Sequence, residues 1–512
     1  MELELDIKSV LLLIIIIFGL FTCYLAYRTS LLGEDSALYL ELEEQLAQGK
    51  FPSYLRDKPM ALPFGKSVIT ALFFVVFGPS LGIAKVVVAL FGLGTMITVF
   101  LIGRKLNPDD EFNIIGFMSA LLLFSAPLFG NFSLIAYTDI PITFFSALTL
   151  YLLLLPDTNK KYIILGIISG VSYYFKQSGL LLPIFSIIYL SYMYIKTKDK
   201  NYLKYALIVG AIAGLILAPW VVRNLILFEY PYFEVLNPLF APPKGEVPVW
   251  LTPDIQKQIN PKINYLNILP VINLNIIFMG LIYYILTKDA RFNLPISMSI
   301  LIILFFIILG TSGIRVVEDR YYLMMFPQIS LIGGLLLSEL KKQHKLMMIP
   351  ITILSAYLIF TGYNTIINVS RAQRFPSTYL SSLAWLKLNS VPTDKVFTAY
   401  SGSVRVYSGR ATVWNIDEFP EVMKTDNSTY IYEIMNKYDV KYIIVWSGIL
   451  SPNDEWIIPS ANLFGAFTNK FLNNVQSDVQ HFKIADANTG SIVFEVIQEE
   501  CKENELGVCE VG

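Results

Sequence analysis

Two carboxylates, Glu34 and Asp35, stand one step beyond the first apolar stretch, in LLGEDSALYLELEEQLAQGKFPSYLRDKPM at 31–60. Asp57-Lys58-Pro59 closes the same segment. Leu38, Leu42 and Leu46 fall at helical spacing, so the stretch from Asp35 to Leu46 predicts an amphipathic helix lying along a membrane face. Its N-terminus carries the carboxylates, where the helix dipole favours negative charge. Asp35 is then a helix cap, a proton acceptor, or both. Pro59 restricts Lys58 to extended geometry. Thr138-Asp139-Ile140-Pro141 opens a later apolar run, with proline suited to a first turn and Asp139 a candidate cap. Lys176, in YYFKQSG, is either a snorkelling anchor or an anion ligand. Arg223 closes APWVVRN and Arg320 opens DRYYLMMFP. Tyr39 and Tyr321 are expected to line the same pocket as these charges.

These types combine into one chemistry. Cations fixed at headgroup depth suit a lipid phosphate, whose chain needs an apolar groove. Lys58, Lys176, Arg223 and Arg320 are the candidates, with Glu34, Asp57 and Asp139 as supporting acids. A carboxylate beside them can take a proton from an acceptor hydroxyl. Phosphate neutralised by cations leaves without a general acid. The pattern points to group transfer from a lipid-linked phosphate.

The elements that must hold these residues are mostly membrane helices. The chain has 512 residues, 54% hydrophobic and 15% charged, with a mean hydropathy of +0.56. Soluble domains carry nearer a quarter charged residues. The net charge of −1 argues against nucleic acid as a partner. His344 and His481 are the two histidines, too few for a histidine metal site, and no metal or cofactor is expected. A bilayer core of about 30 Å needs roughly twenty apolar residues per helix. Spans are expected at 9–28, 83–102, 112–130, 140–156, 161–175, 180–195, 203–222, 265–286, 294–312, 321–339 and 346–365. Basic residues at Arg104-Lys105, Lys160-Lys161, the 196–204 run, Lys288 with Arg291, and Lys341-Lys342-Lys345 fall on alternate connections. By the positive-inside rule these face the cytoplasm. The N-terminus, read as an uncleaved anchor, is then inside, and everything after 366 is outside. Segment 61–79 would reverse this bias if it crossed, so it is expected to lie in the outer interface with Lys66 at the surface.

The chain thus divides into a membrane domain, 1–366, and an extracytoplasmic α/β domain, 367–512. In the latter, 377–389 and 430–439 read as helices, 395–400 and 441–446 as strands, and 480–497 as a hairpin turning at Asn-Thr-Gly. Cys501 and Cys509 lie on the oxidising side, where a disulfide is plausible. Asn368-Val369-Ser370 and Asn427-Ser428-Thr429 form glycosylation tripeptides.

The order DSALYL (35–40), DKP (57–59), GIAKVVVALFGLGTMITVFLIGRKL (82–106), YTDIPITFFSALTLYLLL (137–154), GIISGVSYYFKQSGLLLP (166–183), LAPWVVRNLILFEYPYF (217–233) and DRYYLMMFPQISLIGG (319–334) resembles the GT-C glycosyltransferases that use polyprenyl-phosphate sugars. Protein O-mannosyltransferases and lipid A aminoarabinose transferases are among them. The resemblance implies an inverting transfer on the outer face of the cell membrane, from a polyprenyl-phosphate-linked sugar to a hydroxyl on a protein, lipid or glycan. It implies Asp35 as the base and Lys58 as a phosphate contact. Many members read Asp-Glu at the first position, whereas here Ser36 follows Asp35. Some carry a metal-binding histidine in a later outer loop, and none stands between 200 and 340 here. The alternatives are a lipid or glycolipid transporter, which predicts charges inside the bundle and two similar halves, and a non-catalytic membrane scaffold.

Overall fold

The computed structural model describes residues 6–30, 34–51, 53–54, 58–59, 63–228, 271–311, 319–372, 374–398, 401–413, 418–446, 469–497, 502–503 and 509–510. The chain forms two compact units, Met1–Ser30 with Tyr39–Gln373, and Leu31–Leu38 with Arg374–Gly512.

The first unit is a helical bundle. It begins α1 (Ile7–Arg28), α2 (Glu34–Ala47, of which the part from Tyr39 belongs to this unit), α3 (Gly65–Phe77), α4 (Leu81–Leu106), α5 (Ile114–Phe124), α6 (Pro127–Ser133), α7 (Asp139–Leu153), α8 (Asn159–Phe175), α9 (Leu181–Thr197) and α10 (Lys200–Phe228). Helices Val271–Thr287, Asn293–Thr311, Phe326–Gln343 and Met348–Ala372 follow. Among the described residues, 7 helices are long and apolar enough to cross a bilayer, or 8 if one bent pair counts as a span. That pair is a correction: the expected single span 112–130 is α5 and α6, meeting at 71°. Pro127 stands at the start of α6, where its missing N–H costs nothing, whereas inside a continuous helix it would break the ladder.

Close packing rests on small residues. A Cβ on Gly103 would lie 2.0 Å from the Gly116 nitrogen, so α4 and α5 cross backbone to backbone. The basic connections are tied pairwise. Lys341 pairs with Asp110 at 2.8 Å and Arg291 with Glu339 at 2.6 Å. Lys161 pairs with Asp157 at 2.8 Å, and Tyr202 donates to the same carboxylate at 3.0 Å.

Helix α3 has 13 residues, about 20 Å at 1.5 Å per residue, and is too short for a bilayer core. Its expected Lys66 at the surface is corrected: Lys66 is 0% exposed. Helix α2 also differs from its hydrophobic pattern. Of Leu38, Leu42 and Leu46 only Leu42 is fully buried, while Ser36, Ala37, Leu40 and Glu43 face inward. The cause is electrostatic, since Glu43 turns toward Lys66. A hairpin of β1 (Ser53–Tyr54) and β2 (Lys58–Pro59) follows α2, pairing Tyr54 with Lys58. Lys58 is extended there, as the proline after it requires.

The second unit holds a five-stranded sheet in the order β4-β3-β5-β7-β6. Its strands are β3 (Lys395–Phe397), β4 (Ala411–Val413), β5 (Val440–Trp446), β6 (Phe482–Ala487) and β7 (Ser491–Val496). β3 runs parallel to β4 and β5, and β7 runs antiparallel to β5 and β6. Helices Ser377–Asn389 and Ser428–Lys437 fall where the sequence places them. The β6–β7 turn is fixed by Asn488, whose Oδ1 accepts from the Gly490 and Ser491 amides at 2.9 and 3.0 Å. Asn427, the first residue of one glycosylation tripeptide, caps helix Ser428–Lys437 by accepting from the Tyr430 amide at 3.3 Å. Asn368 lies within helix Met348–Ala372. The side chains of Cys501 and Cys509 lie outside the described residues.

His481 stacks on Tyr432 with centroids 4.1 Å apart and meets Asp478 at 2.8 Å. Burial raises the Asp478 carboxyl, but hydrogen bonds from His481 and Ser428 outweigh it and hold the group below its ordinary 3.8. A depressed carboxylate stabilises the fold fully above its unfolded value and loses that contribution as pH falls through its folded one. Asp478→Asn is therefore expected to flatten the loss of melting temperature below pH 3.8, measured by thermal unfolding against pH.

Candidate functional site

Four consecutive residues at the entry to α7, Ala136 to Asp139, gather the charges. Asp139 does not act as the expected cap. Thr138 precedes the helix without a side-chain cap, and Asp139, in the first turn, pairs through its carboxylate with Lys176. Lys176 is the residue at which α8 stops, with extended backbone. Its side chain is 18% exposed and that of Asp139 2%, so the snorkelling reading of Lys176 is also corrected. Lys176 Nζ lies 4.3 Å from the Tyr321 ring centroid. Arg320 Cζ lies 4.9 Å from the Tyr137 centroid and 5.7 Å from that of Tyr321. Tyr321 is therefore near two cations and stacks on Phe306 with centroids 5.8 Å apart.

A second group joins the first at Ala136. Lys66 Nζ donates to the Ala136 carbonyl at 3.3 Å, pairs with the Glu43 carboxylate, and lies 5.5 Å from the Tyr39 centroid. Burial raises the Glu43 carboxyl above its ordinary value, and Lys66 opposes that rise. Asp35 sits in the first turn of α2, partly exposed. It is inside the helix rather than at its cap position, and it shares a stripe with Tyr39 and Glu43 at spacings of four.

A third group holds Arg223. Its guanidinium lies 5.2 Å from the Phe51 centroid and 4.7 Å from that of Trp220, and donates to Asn224 Oδ1 at 2.8 Å. Phe64 packs on both rings, at 5.8 and 5.2 Å, and Tyr174 lies 6.0 Å from Trp220. Gly65 makes this junction: a Cβ there would lie 2.8 Å from the Tyr174 carbonyl oxygen. The start of α3 thereby reaches the end of α8, with Lys66 on one side and Lys176 on the other.

Direct contacts bring together the expected residues Asp139, Lys176, Arg320 and Tyr321. Tyr39 joins through Lys66, and Arg223 through Phe64. The side chains of Glu34, Asp57, Lys58 and Asp319 lie outside the described residues. Sequence reasoning missed Glu43, Lys66 as a site neighbour, and Lys85, which is buried in α4. The signal was available for Lys85, an ionisable residue inside a membrane-length apolar run. Among the described residues, no cluster of three His, Cys, Asp or Glu side chains is arranged to hold a metal ion. Partly buried cations set on aromatic faces bind an anion strongly, because weak solvation leaves their charge unscreened.

Residues 57–222 match the family model described as dolichyl-phosphate-mannose-protein mannosyltransferase. ArnT from Cupriavidus metallidurans, solved bound to undecaprenyl phosphate, is similar in fold with a TM-score of 0.65 and 13% identity, covering 94% of this chain and 97% of that one. The archaeal oligosaccharyltransferase AglB from Archaeoglobus fulgidus, in complex with an inhibitory peptide and a dolichol-phosphate, has a TM-score of 0.59 and 12% identity. That comparison covers 84% of this chain and 69% of AglB. No curated protein sequence matches closely. The fold is thus the GT-C fold of polytopic membrane enzymes. The match to the mannosyltransferase family model covers residues 57–222, about a third of the chain, within that fold.

Proposed function

We propose that this chain is a membrane glycosyltransferase that moves a sugar from a polyprenyl-phosphate donor to an acceptor hydroxyl, with inversion, on the outer face of the membrane. Asp35 takes the proton from the acceptor hydroxyl as its oxygen attacks the anomeric carbon from the face opposite the phosphate. The C1–O bond to the phosphate breaks, and the lipid phosphate leaves carrying that electron pair. Lys58, Lys176, Arg223 and Arg320 neutralise it. The observation that carries the reading is the Lys176–Tyr321–Arg320 group set against Asp139, at the end of the bundle where α8 and α10 stop. Fixed cations there suit a lipid headgroup phosphate. ArnT bound to undecaprenyl phosphate and AglB in complex with a dolichol-phosphate support a donor of that class. In this reading residues 1–366 are the catalytic membrane domain with a cytoplasmic N-terminus, and 367–512 lie outside the membrane. The basic connections tied together at the opposite end of the bundle favour that sidedness.

The test is direct. Purified protein in nanodiscs is given dolichyl-phosphate mannose and undecaprenyl-phosphate aminoarabinose, with membrane extract as acceptor, and products are identified by mass. Release of lipid phosphate with a glycosylated, inverted product is expected. Consumption of neither donor rejects the transferase reading for these donor classes. Arg223→Lys keeps the charge but loses the planar group that stacks on Phe51 and Trp220. It is expected to raise the donor KM about tenfold, the equivalent of about 1.4 kcal/mol, with kcat unchanged.

A further inference from the structure

The connection from Leu134 to Thr138 is not helical, yet Leu134, Ala136, Tyr137 and Thr138 are all buried. Loops ordinarily run over the surface, because a buried one must find partners inside the protein for its backbone N–H and C=O groups. Here the partner of the Ala136 carbonyl is a side chain. Lys66 Nζ, fully buried at the start of α3, donates to it at 3.3 Å. A buried ammonium is costly unless paired, and the equally buried Glu43 supplies the carboxylate. The proposed chemistry leaves both residues unused.

The next residues of the same connection meet the cations assigned to the donor phosphate. The Tyr137 ring lies 4.9 Å from Arg320 Cζ, and the Asp139 carboxylate pairs with Lys176. One short segment, Ala136 to Asp139, is thus tied at its start to Lys66 and carries at its end the contacts of Arg320 and Lys176. Apolar packing keeps a core stable before it keeps it uniquely arranged. A hydrogen bond, with its narrow range of distance and angle, fixes the backbone more tightly.

We propose that Lys66, held by Glu43, is a positioning residue: it fixes the buried Ala136–Asp139 connection and thereby the placement of Arg320 and Lys176 for the donor phosphate. The inference rests on the reading of those two cations as phosphate ligands. Removing one member of the Glu43–Lys66 pair alone would strand a buried charge, so the informative variants change both. Glu43→Met with Lys66→Met puts apolar groups in place of the pair, a change that buried ion pairs often tolerate, and takes the donor from Ala136. Glu43→Gln with Lys66→Gln also removes the charges but keeps an amide N–H that can donate to Ala136.

Full-length protein in nanodiscs, with dolichyl phosphate as the probe, decides the matter. The Met pair is expected to melt like wild type and to bind dolichyl phosphate about tenfold more weakly. Its amides from 136 to 140 are expected to exchange about tenfold faster, with those of α4 and α10 unchanged. The Gln pair is expected to bind within about threefold of wild type, because the donor to Ala136 remains. A pair that served stability alone would lower melting without moving the affinity. Should the Met pair not fold, Ala136→Gly takes its place: it frees the same backbone, leaves Lys66 and Glu43 intact, and is expected to weaken binding about threefold or more. Wild-type affinity in the Met pair or in Ala136→Gly overturns the positioning role, as does an equal loss in the Met and Gln pairs. Wild-type protein that binds no dolichyl phosphate rejects the phosphate reading instead. Faster exchange in the Met pair then upholds the hold on the connection, and unaltered exchange overturns it.

Discussion

Asp35→Asn lowers kcat by at least about a hundredfold and leaves the donor KM within about threefold; that is the result the proposed mechanism demands. The amide keeps the size and planarity of the carboxylate but has no basic oxygen to receive a proton. General-base catalysis typically contributes about 10²–10⁴-fold, and the donor phosphate binds elsewhere, so the loss falls on kcat. Asp35 stands in the first turn of α2. Asp35→Glu supplies the comparison. It restores a carboxylate but moves it outward by one methylene, and displacement of about 1 Å can cost about a hundredfold, so partial recovery is expected. Lipid-phosphate release, followed with dolichyl-phosphate mannose, measures both variants. Wild-type kcat in Asp35→Asn removes Asp35 from the chemistry.

What the sequence made legible follows the range over which each signal acts. Hydrophobic periodicity is local, so helix Ser377–Asn389 and the β6–β7 hairpin are readable at nearly their observed bounds. The extended Lys58 followed from its neighbour Pro59, and the outcome is the β1–β2 hairpin. The charge bias of the basic connections set segment 61–79 apart from the spans, and its helix α3 has 13 residues. The break before Pro127 was equally local and was overlooked, because mean hydropathy stays high across it while the backbone turns by 71°. Ion pairs between distant segments behave differently. Lys66 looks like a surface anchor in an apolar stretch until Glu43 is placed beside it, and the two are 23 residues apart. Asp139 looks like a cap until Lys176, 37 residues on, arrives at its carboxylate. No local pattern distinguishes a lysine that finds a partner from one that finds a headgroup. The site was therefore legible as a set of residue types at one end of the bundle, and its pairings were not.

The pairing of Asp139 with Lys176 carries the second large effect. Lys176→Met leaves a carboxylate that is 2% exposed without its cation, and removing one partner of a buried pair typically costs about 3–5 kcal/mol. The lower end applies, because Lys176 keeps 18% exposure and solvent screens part of the attraction. A loss of about 3 kcal/mol in unfolding free energy is expected, read from melting in nanodiscs. Asp139→Leu with Lys176→Met removes both charges and is expected to regain most of that stability. If the pair served folding alone, the double variant would also regain activity. The cation–π contact of Lys176 with Tyr321, and the neighbouring Arg320, argue for a second role. The Lys176 side chain keeps 18% exposure beside the carboxylate and the ring, which leaves it accessible to a phosphate in this mechanism. A hydrogen bond from a charged donor is worth about 1.5–3 kcal/mol, so losing it raises the donor KM about ten- to a hundredfold. The double variant is therefore expected to fold like wild type and still bind dolichyl phosphate at least about tenfold more weakly. Full recovery of both properties would make Lys176 a structural counter-ion and leave Arg223 and Arg320, with Lys58, to hold the phosphate.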